Sequence, residues 1–173
     1  MRLICTSITL ALSSLILANP VLVRETGPLT PEEELKGFSV PDDFKIQLFA
    51  SEPMINKPIN LAWDKRGRLW VSSTVEYPYA AEKDRWADDK GSKVRDSRDA
   101  IKILEDIDGD GKADTVIDFA DGLNIPTGVV PWHRPDHKDG CIAWSIPNIW
   151  YFADTTGDGK ADLREVLFGP MGY

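Results

Sequence analysis

The sequence predicts an almost entirely β-stranded protein, and three observations support this prediction. Short segments with the residue pattern of strands follow one another from residue 44 to residue 168, and residues 44–49 alternate apolar and polar side chains. Turn-forming residues separate these segments, and one turn sequence occurs twice. Beyond residue 40, no long segment has the apolar period of about 3.6 residues that is typical of an amphipathic helix. We therefore expect an all-β fold for most of the chain.

Composition limits the function classes that need consideration. The chain has 173 residues, which corresponds to about one domain, and its hydrophobic content of 42% is sufficient for a packed core. The formal net charge is −8. Because nucleic-acid binding depends on neutralising phosphates with a basic face, this charge argues against a nucleic-acid partner.

The first residues have the pattern of a secretory signal peptide. Met1 and Arg2 give a basic start, residues 3–17 are apolar or small without charge, and Ala18-Asn19-Pro20 ends the run. We therefore interpret residues 1–18 as a signal peptide, with a retained N-terminal anchor as the alternative. No later segment is apolar enough to span a membrane. The expected location is the periplasm, the cell surface or the medium.

Residues 19–43 are interpreted as a linker with one short helix. Thr30 is a typical N-cap, Pro31 occupies the first helical position and Glu33 completes a capping box, while Gly37 ends the helix. Residues 44–173 are then the β domain, beginning with a predicted strand over residues 44–49. After the signal peptide a single cysteine, Cys141, remains, so no internal disulfide is expected.

An internal repeat defines the expected architecture. The hexapeptide Gly-Asp-Gly-Lys-Ala-Asp occurs at residues 109–114 and again at 157–162, 48 residues later. A period of about 40 to 50 residues with four short strands is typical of β-propeller blades. We predict a partial β-propeller with two four-stranded blades, over about 58–120 and 123–169, plus the N-terminal strand, which would complete a last blade. Because a ring needs about four to eight blades, further blades downstream are expected partners of this chain.

Each copy of the hexapeptide belongs to a loop with the spacing of a calcium site. Oxygen-bearing side chains alternate along each loop, and a glycine at the sixth position permits a sharp turn. Because strands flank both loops, we favour a structural Ca²⁺-binding hairpin over a true EF-hand, with a solvated turn as the alternative. The predicted ligands are Asp106, Asp108, Asp110, the carbonyl of Lys112 and Asp114 in the first loop, and Asp154, Thr156, Asp158, the carbonyl of Lys160, Asp162 and Glu165 in the second.

Two other segments are candidates for function. The long connection over residues 75–100 combines aromatic and charged side chains, which suits a sugar or another small polar ligand, although a solvated loop would have the same composition. His133 and His137 lie four residues apart in a turn-rich segment. Without a helix this spacing is weak support for a metal site, and we interpret both as exposed turn residues.

Motifs for nucleotide binding, phosphate loops and serine hydrolysis are absent, as is the Cys-x-x-Cys-His haem motif. No catalytic residue and no residue that binds an organic cofactor can be assigned from the sequence.

Several stretches together resemble one family. In chain order they are Pro41–Ile46, Ala50–Pro53, Asp64–Val71, Ile101–Asp106 with the loop that follows it, Phe119–Leu123, Pro126–Val129 and Arg164–Phe168. This order is similar to the N-terminal propeller of the membrane-bound dehydrogenases of planctomycetes and their relatives, also called PVC-type haem-binding proteins. The resemblance covers roughly residues 30–169.

The resemblance implies a six-bladed propeller like that of soluble quinoprotein sugar dehydrogenases, followed in many members by helical repeats and a cytochrome c domain. It further implies that the complete protein oxidises a sugar or alcohol with a quinone cofactor and passes electrons to haem. The later blades and the haem motif are missing here, so this chain is expected to be inactive alone. The alternatives are a non-catalytic secreted binding module that uses the propeller face and a decayed gene product.

Overall fold

Residues 27–172 are described by a computed structural model, and the predicted signal peptide lies outside these residues. The one α-helix of the described part, α1 (Pro31–Lys36), has the predicted capping box. The Thr30 hydroxyl accepts from the Glu33 N–H at 3.2 Å, and the Glu33 carboxylate accepts from the Thr30 N–H at 2.8 Å. None of the described helices is long and apolar enough to cross a bilayer.

Eight strands form two antiparallel sheets of four, which confirms the all-β class. Within each sheet the strands are adjacent in chain order, so each neighbouring pair is joined directly along the chain. The first sheet contains β1 (Pro58–Trp63), β2 (Leu69–Ser73), β3 (Ala100–Glu105) and β4 (Thr115–Ala120). The second contains β5 (Gly128–Pro131), β6 (Asp139–Ser145), β7 (Asn148–Asp154) and β8 (Leu163–Phe168).

The two sheets pack against each other through one apolar core. Trp70 and Phe119 of the first sheet meet edge to face at 4.8 Å between ring centroids. They belong to the same buried cluster as Trp150 and Phe152 of the second sheet. Burial of such large side chains supplies the main stabilising contribution, about 1.5–3 kcal/mol for a fully buried side chain of this kind.

A second, smaller core lies on the other face of the first sheet. Leu69 and Val71 flank Trp70 on β2, so their side chains point to the opposite face. The N-terminal segment covers them with Phe49 and Met54. The first sheet is therefore apolar on both faces, as expected for a sheet that lies between two others.

The predicted strand over residues 44–49 is not a strand in the structure. No strand of the described residues lies alongside it to form a ladder. The segment instead ends against the first sheet, where the Phe49 carbonyl accepts a hydrogen bond from the Ala113 N–H at 2.8 Å. The alternation does not correspond to a buried side, because Phe44 and Ile46 are exposed and the segment packs on the sheet only near its end, at Phe49.

Candidate functional site

The two Asp/Gly loops occupy equivalent places in the two sheets. The first joins β3 to β4 and the second joins β7 to β8. Each loop also contacts the element in front of its own sheet. The Ala113 N–H donates to the Phe49 carbonyl at 2.8 Å, and the Ala161 N–H, 48 residues later, donates to the Phe119 carbonyl at 2.7 Å. The two copies of the sequence repeat thus make the same hydrogen bond to the element in front of their sheets.

The first aspartate of each loop organises the turn in the same way. Asp106 accepts from the Gly109 N–H at 2.7 Å with one oxygen and from the Gly111 N–H at 2.8 Å with the other. Asp154 does the same with Gly157, at 2.5 Å, and with Gly159, at 2.9 Å. The sixth-position glycines, Gly111 and Gly159, have φ of 85° and 84°, a conformation that favours glycine.

The last aspartate of each loop accepts a hydrogen bond from a backbone N–H near the beginning of the same loop, so it joins the two ends of the loop. Asp114 accepts from the Ile107 N–H at 2.6 Å, and Asp162 accepts from the Thr155 N–H at 2.7 Å. The Thr155 hydroxyl also donates to Asp162 and, as the largest cause, holds the pKa of that carboxyl below its usual range. Burial raises the pKa of Asp154, but the hydrogen bonds from the loop N–H groups outweigh burial and lower it overall.

The carboxylates gather in the first loop. One oxygen from each of Asp106, Asp108 and Asp114 lies within 4.8 Å of the other two, and no other such group of three occurs among the described residues. The second loop lacks the equivalent group because Thr156 stands where the first loop has Asp108. Carboxylate oxygens are the type of ligand that Ca²⁺ binds, and this group supplies three of the roughly six to eight oxygens that the ion takes.

The structure does not bring the remaining predicted ligands into that group. Asp110 and Asp158 accept from the backbone N–H of Lys112, at 2.8 Å, and of Lys160, at 2.9 Å, two residues further along each loop. Glu165 lies on β8, where Arg134 binds both of its oxygens, at 2.8 and 3.1 Å. The bond from Arg134 lowers the pKa of Glu165.

Residues 75–100 fold back on themselves instead of extending into solvent. Trp86 is buried with Ala81 and Val94, and its indole N–H donates to the Ala81 carbonyl at 3.2 Å. Tyr77 and Tyr79, two of the aromatic residues of this segment, are 51% and 80% exposed. The segment therefore has its own small core with an exposed aromatic margin.

Two buried polar residues that sequence reasoning missed fix this segment to the rest of the protein. Asp99 accepts from the Glu76 N–H at 2.9 Å and from the Ile125 N–H at 3.0 Å. Asn124 makes two hydrogen bonds to the backbone of Ala81, at 2.8 and 3.1 Å. Burial raises the pKa of Asp99 above its usual value. Neither residue stands out in the sequence, because Asp99 belongs to a run of charged residues and Asn124 has an ordinary turn context.

A cavity of about 680 Å³ lies between this segment and the second sheet. Trp86 forms part of its wall, with Lys83 and Asp89 from the same segment and Asn148 from the start of β7. Asn148 donates to the Lys90 carbonyl at 2.8 Å, so the two sides of the cavity are directly joined. Aromatic and charged groups around a volume of this size suit a small polar ligand.

The sequence led us to predict that both histidines are exposed turn residues, and the structure shows that this prediction is wrong. His137 has a side-chain exposure of 11%, and its Nδ1 lies 2.8 Å from the hydroxyl of the buried Tyr151. His133 is half-buried. A sequence pattern of turn residues did not reveal that this turn packs on β7.

Comparison with known proteins assigns the chain to a family. A family model described as a domain of unknown function, DUF7133, matches residues 30–172. The chain therefore belongs to this family. No curated protein matches the chain, and no solved structure matches it.

Proposed function

We propose that this member of the DUF7133 family is a calcium-stabilised part of an exported β-propeller, of the kind found in quinoprotein-like dehydrogenases. The observation that carries the proposal is the repeated contact between each Asp/Gly loop and a phenylalanine carbonyl, at Phe49 and at Phe119. Phe119 lies on the last strand of the first sheet. Phe49 stands in the corresponding place in front of the first sheet, which is the role expected of a segment that completes a last blade.

The exposed apolar face of the first sheet supports the same arrangement. Ile59, Leu61 and Trp63 alternate along β1 and are 47%, 56% and 58% exposed. Leu61 and Trp63 pair with Val71 and Leu69, so they extend the face that bears the smaller core. An apolar surface of this kind is typical of a repeat unit that packs against a further repeat.

Calcium is the ion that the first loop favours. Asp106, Asp108 and Asp114 bring three negative charges close together on an already acidic protein, and a divalent cation would offset their repulsion. Exposed modules outside the cell bind Ca²⁺ with a Kd of about 10⁻⁴–10⁻³ M. The ion would stiffen the β3–β4 hairpin and take no part in a reaction.

Thermal unfolding of the full chain with Ca²⁺ and with a chelator tests this proposal. At a concentration of about 100 times the Kd, Ca²⁺ should stabilise the fold by about 2.7 kcal/mol. The variant Asp114→Asn should lose most of this effect, whereas Asp43→Asn, an exposed control that removes the same charge, should keep it. A transition temperature that is the same with Ca²⁺ and with chelator would refute the calcium proposal.

The dehydrogenase part of the proposal concerns the complete protein. We propose that the chain alone does not oxidise sugars or alcohols, and that the groups that bind a quinone and accept a proton belong to other blades. The test is dye reduction by the longer gene product with sugars, a quinone and Ca²⁺. Failure of that product to reduce the dye with any sugar would argue against an enzyme.

A non-catalytic binding module is the second candidate, and the cavity beside Trp86 favours it. Its wall combines an indole with lysine, aspartate and asparagine side chains, which suits a sugar. Glycan binding that is lost in Trp86→Ala, without turnover of the glycan, would favour this candidate. Because Trp86 also stabilises its segment, Lys83→Gln serves as a milder variant at the same cavity.

A further inference from the structure

A second cavity, of about 520 Å³, lies where the turns of the two sheets meet. The β1–β2 turn supplies Lys65 and Arg66, and the β5–β6 connection supplies the rest. No acidic side chain is among the residues that line it, which are Lys65, Arg66, His133, Arg134, Pro135, His137 and Lys138. We call this the basic cavity.

The charge of the basic cavity is opposite to that of the whole chain. The chain carries a net charge of −8, yet four lysine and arginine side chains converge here. Lys65 and Lys138 form no ion pair within residues 27–172. Such a local reversal of sign attracts anions to one place on an otherwise repulsive surface.

The two arginines are held by carboxylates that lie outside the cavity lining. Arg66 pairs with Asp139, and Arg134 binds Glu165 through two nitrogens at 2.8 and 3.1 Å. An arginine has five N–H donors, so these pairs leave donors for a ligand. Asp136, 3.6 Å from the Nε2 of His137, is a further nearby acid, and it is not part of the lining either.

Buried Tyr151 fixes the position of two lining residues before any ligand arrives. The guanidinium of Arg134 lies over the Tyr151 ring at 4.2 Å, and the Nδ1 of His137 lies 2.8 Å from the Tyr151 hydroxyl. The Nδ1 of His133 is buried and has no hydrogen-bond partner, the one such side-chain atom among the described residues. Because Tyr151 already holds Arg134 and His137, these two side chains lose little conformational entropy when they bind a ligand.

We propose that the basic cavity binds a sugar-sized ligand that carries a phosphate or sulfate ester. Arginine forks, lysine ammonium groups and imidazoles are the side chains that bind such oxyanions. A volume of about 520 Å³ lies within the range of small-molecule sites, about 300–1,000 Å³, and exceeds what a bare oxyanion fills. This proposal does not depend on calcium binding or on the propeller.

Calorimetric titration of the full chain tests the proposal with three probes: glucose 6-phosphate, glucose 6-sulfate and uncharged glucose. At least one of the esters should bind, and glucose should not. The ester that binds more tightly identifies the oxyanion. In the variant Lys65→Gln/Lys138→Gln the affinity for that ester should fall by about tenfold or more, because two charge-assisted contacts are lost.

The matched control is Lys36→Gln/Lys45→Gln, which removes two exposed lysines that do not line the basic cavity. Circular dichroism should give the same spectrum for both variants and the parent. An affinity in the control equal to that of the parent supports the proposal. Absence of ester binding, equal binding of glucose, or an equal loss in the control would overturn it.

Discussion

Arg68 and Asp139 form a buried ion pair that joins the two sheets. The guanidinium of Arg68, the residue immediately before β2, donates to the two oxygens of Asp139 on β6 at 2.8 and 3.0 Å. Asp64 lies 2.7 Å from the same guanidinium and also accepts from the Trp70 indole at 3.1 Å. This network therefore connects the ion pair to the main core, because Trp70 belongs to that core.

Removal of the arginine should destabilise the fold strongly. In Arg68→Met the buried carboxylate of Asp64 loses its cation, and Asp139 keeps only its pair with the more exposed Arg66. Breaking a buried pair in this way costs about 3–5 kcal/mol. Urea unfolding should report this loss, whereas Lys93→Met, which breaks an exposed pair with Asp121, should cost about 0–1 kcal/mol. Equal losses of unfolding free energy in the two variants would show that the buried pair contributes no more to stability than the exposed pair.

Stability should decrease in acid through Asp64. Burial raises the pKa of Asp64, but hydrogen bonds from the Arg68 backbone, the Trp70 indole and the Arg68 side chain outweigh burial and lower it below 3.8. The stability that these bonds supply is therefore fully present above the unfolded-state pKa and is lost as the pH falls through the lower, folded-state pKa. Below about pH 4 the free energy of unfolding should fall more steeply in the parent chain than in Asp64→Asn. Parallel pH profiles would contradict this.

The second loop should gain calcium affinity from one substitution. Thr156→Asp restores the carboxylate that the first loop has at Asp108. With a chelator present, the added charge should lower the transition temperature through repulsion, and with Ca²⁺ it should raise it, because ligand charge tunes the affinity of such loops. Calorimetry should then record a tighter second site. Thr156→Asn, which places a neutral amide oxygen there, is the control. For Thr156→Asp, a decrease in both conditions would count against a calcium site there.

Loss of the Asp99 carboxylate should loosen residues 75–100. Asparagine offers one acceptor oxygen where Asp99 uses two, so either the Glu76 or the Ile125 N–H would lose its partner. A buried group without a partner costs about 1–3 kcal/mol. Limited trypsin digestion of Asp99→Asn should cut faster within this segment than digestion of the exposed control Asp89→Asn. Identical cleavage would mean that Asp99 does not hold the segment.

Cys141 should be inert while the protein is folded. It is fully buried between the sheets, and burial raises the pKa of its thiol far above the usual value. Since the thiolate is the reactive form, a thiol reagent should modify Cys141 only after denaturant is added. A Cys5→Ser background removes the other cysteine. Rapid labelling without denaturant would indicate that the sheets separate readily.

The strands were predictable because each is a short apolar or alternating segment between turn residues and pairs with its neighbour along the chain. The segment over 44–49 alternates too, but it has no partner strand among the described residues, and its apolar Phe44 and Ile46 are exposed. The spacing of the Asp/Gly loops predicted their turn geometry, including the place of Asp106. It could not predict that Glu165 would bind Arg134, because that choice depends on a residue 31 positions away.

Contacts between distant residues explain the remaining differences. Arg68 and Asp139 are 71 residues apart, and nothing in either local sequence indicates the other. His137 lies in a turn-rich segment, and its burial depends on Tyr151 from a neighbouring strand. The basic cavity likewise exists only because two turns from different sheets meet. The order of residues in an acidic chain does not indicate this local positive charge.

The hydrogen bonds from Ala113 to Phe49 and from Ala161 to Phe119 allow two sheets with the same loop to differ in their side chains. The hexapeptide that contains the donor is identical in both copies, whereas the strands around it differ. The loop donates a hydrogen bond to a main-chain carbonyl, which every residue possesses. The side chains of the neighbouring element can therefore differ without loss of this hydrogen bond. The two sheets can thus carry different surfaces, residues 75–100 in the first and the turn at His133 in the second, while both are attached through the same hydrogen bond.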